Sequence, residues 1–358
     1  MYNGVKVLDV HGHVSSPEAT SNYLMLMMAA NTPFPSPIPS GGVPAAGGRQ
    51  SAGLSPEDFK RASQRHVDYM DERNIDVQII GPRPFRVMGF MEEHLTPAWA
   101  RFVNDCIHIQ CQDFPDRFIG ACQLPQLSNA PDTKHVLGEL ERCVKDLGFI
   151  ATYASPDPGG RRTTPGMWEP YWFPLYDKCQ ELNVTIIVHG TNALDPRHRV
   201  VPHNYQLGFY TEQYLATQYL GHSDVFQRYP ELRVVICHCG GGLDRFLPSD
   251  PHLPQKDLSR NLFFDTCAYN PIFLEAAIKQ RGVDRTVFGT EAPGSGRHVN
   301  PDTGRSGDDL VPVIDSFPFL SQADKLRILN GNPKKVFPQM ARWDTPAQTA
   351  PSTASTVR

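Results

Sequence analysis

Val7-Leu8-Asp9-Val10-His11-Gly12-His13 is the stretch on which the reading of this chain turns. A short apolar run ends in two histidines at positions i and i+2. On a strand, such positions face the same side, so both imidazoles can reach one ion. Histidine is a common nitrogen ligand for Zn, Mn, Fe and Co. Asp9 stands two residues before the first histidine, placed to orient a ring or to bond backbone. An isolated HxH also occurs as two polar residues at the start of a loop, so the rest of the chain must decide.

The pattern beyond that stretch is regular. Short β-branched runs at 5–10, 77–81, 118–124, 148–154, 185–189, 233–238, 261–267 and 286–289 read as eight strands. Helical spacing fills the intervals at 56–73, 97–113, 132–146, 171–181, 211–228 and 271–281, and a last helix is expected at 321–336. Ser55-Pro56-Glu57 supplies a serine cap with proline in the first turn. Eight strands alternating with helices favour an α/β fold of the closed (β/α)8 TIM barrel type. A dinucleotide fold would want GxGxxG after the first strand, where His11-Gly12-His13 stands instead. We therefore expect one barrel domain over 1–340. Residues 15–54, rich in Pro, Gly, Ser and Ala, form a long insertion after strand 1, on the catalytic face. It reads as a lid or an oligomer contact, with a flexible spacer as the plain alternative. Residues 341–358 are expected to form a disordered tail, Thr/Ala/Ser/Pro-rich from Asp344 onward.

Bulk properties exclude several classes. The chain has 358 residues, 40% hydrophobic and 20% charged, as in a soluble globular protein. A net charge of −4 and a pI near 6.3, without a Lys/Arg stripe, argue against a nucleic-acid partner. No apolar run reaches the length of a membrane span, and nothing resembles a signal peptide. Eight cysteines without a CxxC pair fit a reducing cytoplasm better than a disulfide scaffold.

In a barrel the C-terminal strand ends share one rim, where active sites are built. Strand 1 brings His11 and His13 to that rim, strand 5 His189, strand 6 His238 and strand 8 Glu291. Arg83 follows strand 2, Gln123 strand 3, and Cys267 and Tyr269 strand 7. One histidine after an apolar run is commonly a structural residue. Four histidines and an acid, all at strand ends of an eightfold repeat, point to a metal site on the rim. Cys237 and Cys239 flank His238 and, by strand alternation, point away from it as small core residues. His198 and His203, with Arg197 and Arg199, lie in the loop after strand 5 and would contact an anionic substrate or solvent.

HxH on strand 1, His on strands 5 and 6 and an acid after strand 8 resemble the amidohydrolase superfamily. Residues 149–154 hold no lysine, which departs from members with a carboxylated lysine and resembles the mononuclear branch related to aminocarboxymuconate semialdehyde decarboxylase. That branch usually carries Asp in a GTD or GSD setting, where this chain has Gly289-Thr290-Glu291. Glu there is more similar to 4-oxalomesaconate hydratase and its relatives. So are Asn300-Pro301-Asp302-Thr303-Gly304, Asp308-Asp309, Pro82-Arg83, Asn204-Tyr205 and the closing run from Gly331 to Phe337.

The resemblance implies His11, His13, His189 and Glu291 as metal ligands, a set suited to Zn2+, with Mn2+ or Fe2+ as alternatives and no organic cofactor. It implies His238 as general acid/base, with Glu291 also able to shuttle protons; an ordinary imidazole pKa of about 6.5 suits that role. Arg83 would clamp a substrate carboxylate and Tyr205 would donate to another substrate oxygen. The Gly240-Gly241-Gly242 run would let backbone approach the ligand. The implied activity is a metal-dependent lyase acting on a small carboxylated substrate of the aromatic-catabolism type, foremost a hydratase. Alternatives are non-oxidative decarboxylation, metal-dependent hydrolysis, a dinuclear Fe/Mn oxygenase recruiting His198 or His203, and an inactive partner subunit of a homologue. A homodimer or higher homo-oligomer is implied by the resemblance alone.

Overall fold

The computed structural model describes residues 1–17, 20, 55–89, 91–191, 193–200, 204–253, 258–301 and 303–344. The greater part of the 15–54 insertion, and residues 345–358 of the expected tail, lie outside the described residues. Eight parallel strands run in the order β1 to β8: Leu8–His13, Val77–Gly81, Phe118–Gln123, Ala151–Ala154, Thr185–Val188, Val234–Ile236, Leu262–Asp265 and Thr286–Val287. Two backbone bonds draw the last strand's end against the first: Val10 N to Phe288 O (2.9 Å) and Glu291 N to His11 O (2.7 Å). The result is the (β/α)8 barrel expected from the repeat.

Helices α1 (Pro56–Asp71), α2 (Thr96–Asp113), α3 (Leu137–Lys145), α4 (Phe173–Glu181), α5 (Asn204–Gly221), α6 (Val225–Arg228) and α7 (Pro271–Arg281) surround the strands. Short helices α8 (Leu310–Ser316), α9 (Gln322–Leu326) and α10 (Asn332–Val336) follow β8. Ser55 caps α1 in a reciprocal box with Asp58. Alternate strand residues divide between two cores. Val77, Ile79, Ile187, Val235 and Phe263 fill the barrel interior, whereas Ile80, Ile186, Val188, Val234 and Phe264 pack outward under the helices. Val336, Phe337, Met340 and Trp343 join the interior group and plug the lower mouth of the barrel.

The first strand lies three residues later than the 5–10 run suggested. Leu8 and Val10 face the interior, and strict alternation would turn His11 and His13 outward. The pairing register slips between Asp9 and Gly12, where three steps on β1 match two on β2. That extra residue reverses the phase and turns both histidines inward. The single helix expected at 321–336 is instead α9, a π-helical turn at Arg327–Gly331 and α10; Pro333 has no N–H to continue an α-helical ladder. Pro338–Asp344 forms a short helical turn that places Trp343 in the lower plug. No helix of the described residues is long and apolar enough to cross a membrane.

Candidate metal centre

The upper mouth gathers the histidines. One ligand atom each from His11, His13, His189 and Glu291 lies within 4.8 Å of the others, and all four residues are buried. Every ring of the trio is held by its Nδ1. His11 donates to Asp265 Oδ2 (2.6 Å), His13 to the Pro82 carbonyl (2.8 Å) and His189 to the Gly190 carbonyl (2.7 Å). Because each Nδ1 faces an acceptor, the proton sits there and Nε2 presents its lone pair. The three Nε2 atoms are buried without hydrogen-bond partners. Buried polar atoms are rarely left so; three that converge beside a carboxylate fit a divalent ion.

Burial holds these rings neutral. It pushes His13 and His189 down to about 4, against the negative charge of the nearby Glu291, and it lowers His11 as well. Glu291 goes the other way. Burial opposes its charge, yet its contacts with His13, His189 and His238 hold the carboxyl well below its ordinary range. Its two oxygens are divided. Oε1 faces His13 Nε2 (3.4 Å) and His189 Nε2 (3.8 Å), while Oε2 faces His238 Nε2 (3.7 Å) and accepts from Tyr269 (2.9 Å) and Ser295 (3.0 Å). Glu291 stands on left-handed backbone with φ +59°, which aims it across the mouth.

His238 is the fourth ring, 4.9 Å from His189 and 5.2 Å from His11 between centroids. Burial disfavours its charged form, but the hydrogen bond and charge of Glu291, with the charge of Asp265, outweigh this and raise its pKa. Its Nδ1 meets the Gln213 side-chain amide, with nitrogen at 2.9 Å and oxygen at 3.1 Å. One turn of that amide serves either tautomer of His238. His238 and Cys239 both adopt left-handed backbone, φ 51° and 57°, a departure common where function fixes geometry.

Two cavities meet at His238. One, of about 210 Å3, is lined by His13, Arg83, Phe85, Gln206, Phe209, Glu291 and Ser295. The other, of about 410 Å3, is lined by Tyr210, Cys267, Tyr269 and Phe273. Arg83 thus faces the cluster beside His13, its pKa lowered by burial and by the charge of Arg297. Tyr205 begins the helical segment α5, but its side chain lies outside the described ones, as does all of His203. Arg197 pairs with Asp195, which also lies 3.9 Å from His198. Among the described residues His198 joins no metal-ligating group.

The residues that support the cluster are less plain in the sequence. Asp265, buried at the end of β7, holds His11 and also accepts from the backbone of Cys239 (3.0 Å) and Cys267 (3.1 Å). An acid closing the apolar run Leu262-Phe263-Phe264 was its available signal. Asp9 holds no ring: it accepts from the backbone of His11 and Thr290 and from the side chains of Gln78 and Thr290. Tyr153 projects beneath His13, rings 5.9 Å apart, and its hydroxyl donates to the Gly12 carbonyl. Gly241 makes room for a helix rather than a ligand: a Cβ there would overlap the backbone of Tyr210 and Tyr214, while a Cβ on Gly240 would meet the Phe264 ring.

Known proteins resemble this chain in sequence and in fold. A 2-keto-4-carboxy-3-hexenedioate hydratase of Sphingobium sp. is 31% identical over 75% of this chain and 80% of its own length. A gamma-resorcylate decarboxylase of Polaromonas sp. is 28% identical over 76% of this chain and 86% of its own. The crystal structure of 4-oxalomesaconate hydratase from Rhodopseudomonas palustris superposes with a TM-score of 0.74 at 27% identity, covering 94% of this chain and 97% of that one. The Amidohydrolase family model matches residues 8–339, a span that holds all eight strands and the whole histidine–glutamate cluster, and this chain belongs to that family.

Proposed function

We propose that this protein is a metal-dependent lyase that hydrates a carbon–carbon double bond in a small unsaturated keto acid bearing two or three carboxylates. The observation that carries the reading is the convergence of three neutral, unpartnered Nε2 atoms on one carboxylate. His11, His13, His189 and Glu291 would hold a divalent ion, zinc by its preference for nitrogen and carboxylate donors. A bound ion supplies Lewis acidity, polarising a substrate oxygen or acidifying water.

The chain's own groups do the rest. Hydration adds the oxygen of water to one carbon and a proton to its neighbour. His238 and Glu291 Oε2 lie side by side at the junction of the two cavities, positioned to take the proton from water and return it to carbon. Arg83 binds a carboxylate through its planar fork. Phe85 and Phe209, rings 6.0 Å apart, give the cavity an apolar wall against a planar substrate. Eight free cysteines suit a reducing compartment such as the cytoplasm.

Hydration is placed before decarboxylation because the chain is 31% identical to the hydratase of Sphingobium sp. and 28% identical to the decarboxylase of Polaromonas sp.. The decarboxylase of Polaromonas sp. supports non-oxidative decarboxylation as the second reading. A panel of unsaturated keto diacids, keto triacids and hydroxybenzoates separates the two. We expect loss of the conjugated absorbance of a keto acid without CO2. Release of CO2 from a hydroxybenzoate, with no keto acid consumed, would overturn the hydratase reading.

A further inference from the structure

We propose that Gln78, locked in place by His66, is a positioning residue that sets the turn carrying Glu291. The inference rests on the reading of His11, His13, His189 and Glu291 as ion ligands, but it concerns residues that touch neither ion nor substrate. Gln78 lies on the outer face of β2, between the barrel and helices α1 and α2. Its amide is fully committed. Nε2 donates to Asp9 Oδ2 (2.8 Å) and to the Ala292 carbonyl (2.7 Å), while Oε1 accepts from His66 Nε2 (2.8 Å). His66 is fixed in turn, its Nδ1 accepting from Gln110 (2.9 Å) and Ser15 (3.0 Å).

The network ends on both neighbours of Glu291. Asp9 binds the backbone and hydroxyl of Thr290, and Gln78 binds the carbonyl of Ala292. Asp9 also takes the backbone N–H of His11, so the turns bearing two ligands hang from one buried amide. Glu291 needs such restraint, because its left-handed backbone persists only where surroundings over-determine it. The sequence makes room for the device: a Cβ on Gly12, between the two histidines, would overlap the Gln78 amide. Gly12 is a glycine because Gln78 passes there.

A role confined to stability would change melting and leave ion affinity alone, whereas a positioning role moves affinity in a folded protein. Gln78→Met keeps the volume and removes every bond. His66→Leu removes the donor to Gln78, and His66→Gln returns an N–H near the place of Nε2. Zinc affinity is measured for each by competition with a chelator, alongside melting and kcat with KM. We expect Gln78→Met and His66→Leu to hold zinc roughly ten- to a hundredfold more weakly. We also expect kcat to fall more than KM rises, and His66→Gln to recover most of the affinity. A folded Gln78→Met with parental zinc affinity would overturn the proposal. Should Gln78→Met not fold, the His66 pair decides, and equal affinities in His66→Leu and His66→Gln would overturn it. Failure of the ligand reading shows elsewhere, as a parent protein that takes up no zinc, and it removes this proposal's basis too.

Discussion

His13 and His238 differ at the level of single atoms. His13 has its Nδ1 spent on a backbone carbonyl and an Nε2 with nothing to bond, held neutral by burial. His238 has its Nδ1 on an amide that accepts either tautomer, and a carboxylate 3.7 Å from its Nε2 that raises its pKa. His13→Ala should therefore lose the ion while keeping its circular dichroism; retention of stoichiometric ion would remove His13 from the ligand set. His238→Ala should keep the ion and lose turnover by about a hundred- to ten-thousandfold, and parental turnover would end its acid/base role. These residues were visible in the sequence because strand ends are visible. Asp265 was marked only as an acid closing an apolar run, and Gln213 not at all. Each acts through a histidine far away in sequence, and only the closed barrel brings them within 3 Å or so.

Among the elements, β1 shows what periodicity conveys and what it omits. The i, i+2 spacing puts His11 and His13 on one face, but which face depends on the slip between Asp9 and Gly12, a pairing event with β2 that no local pattern announces. The strand count was legible because eight β-branched runs each lie against a helical stretch. The lower plug was not, because Phe337 and Trp343 read as the end of a helix and the start of a tail until they fold into the interior. That separation between plug and mouth is testable. Phe337 is fully buried in the plug, so Phe337→Ala should cost about 3–5 kcal/mol of stability with unchanged ion content per folded chain. A variant that melts normally would show that the plug carries no weight.

Over the whole molecule, the buried imidazoles couple stability to pH. In the ion-free protein burial pushes His66 down to about 3 and His13 and His189 to about 4, and it lowers His11 too. Unfolded, each titrates near about 6.5. Below that pH the unfolded chain takes up protons the folded one refuses, so stability is lost as pH falls from about 6.5 toward about 4. Each group contributes up to about 1.4 kcal/mol per pH unit. Glu291, held low, adds to the loss at the acid end. His238, with its raised pKa, opposes it; its stabilisation is present at low pH and lost as pH rises through that value. Calorimetry of chelator-treated protein should show a clearly lower Tm at pH 5 than at pH 7, and a flat or inverted profile would contradict the buried neutral state of these rings.

The central claim, that the mouth of this barrel is a metal centre, is tested most directly by the metal content of protein purified without added metal or chelator. We predict about one zinc per chain, absent from His13→Ala. Protein with no ion, and none taken up on titration, would contradict the account and leave the partner-subunit reading. Two equivalents of iron or manganese would contradict it in favour of the oxygenase.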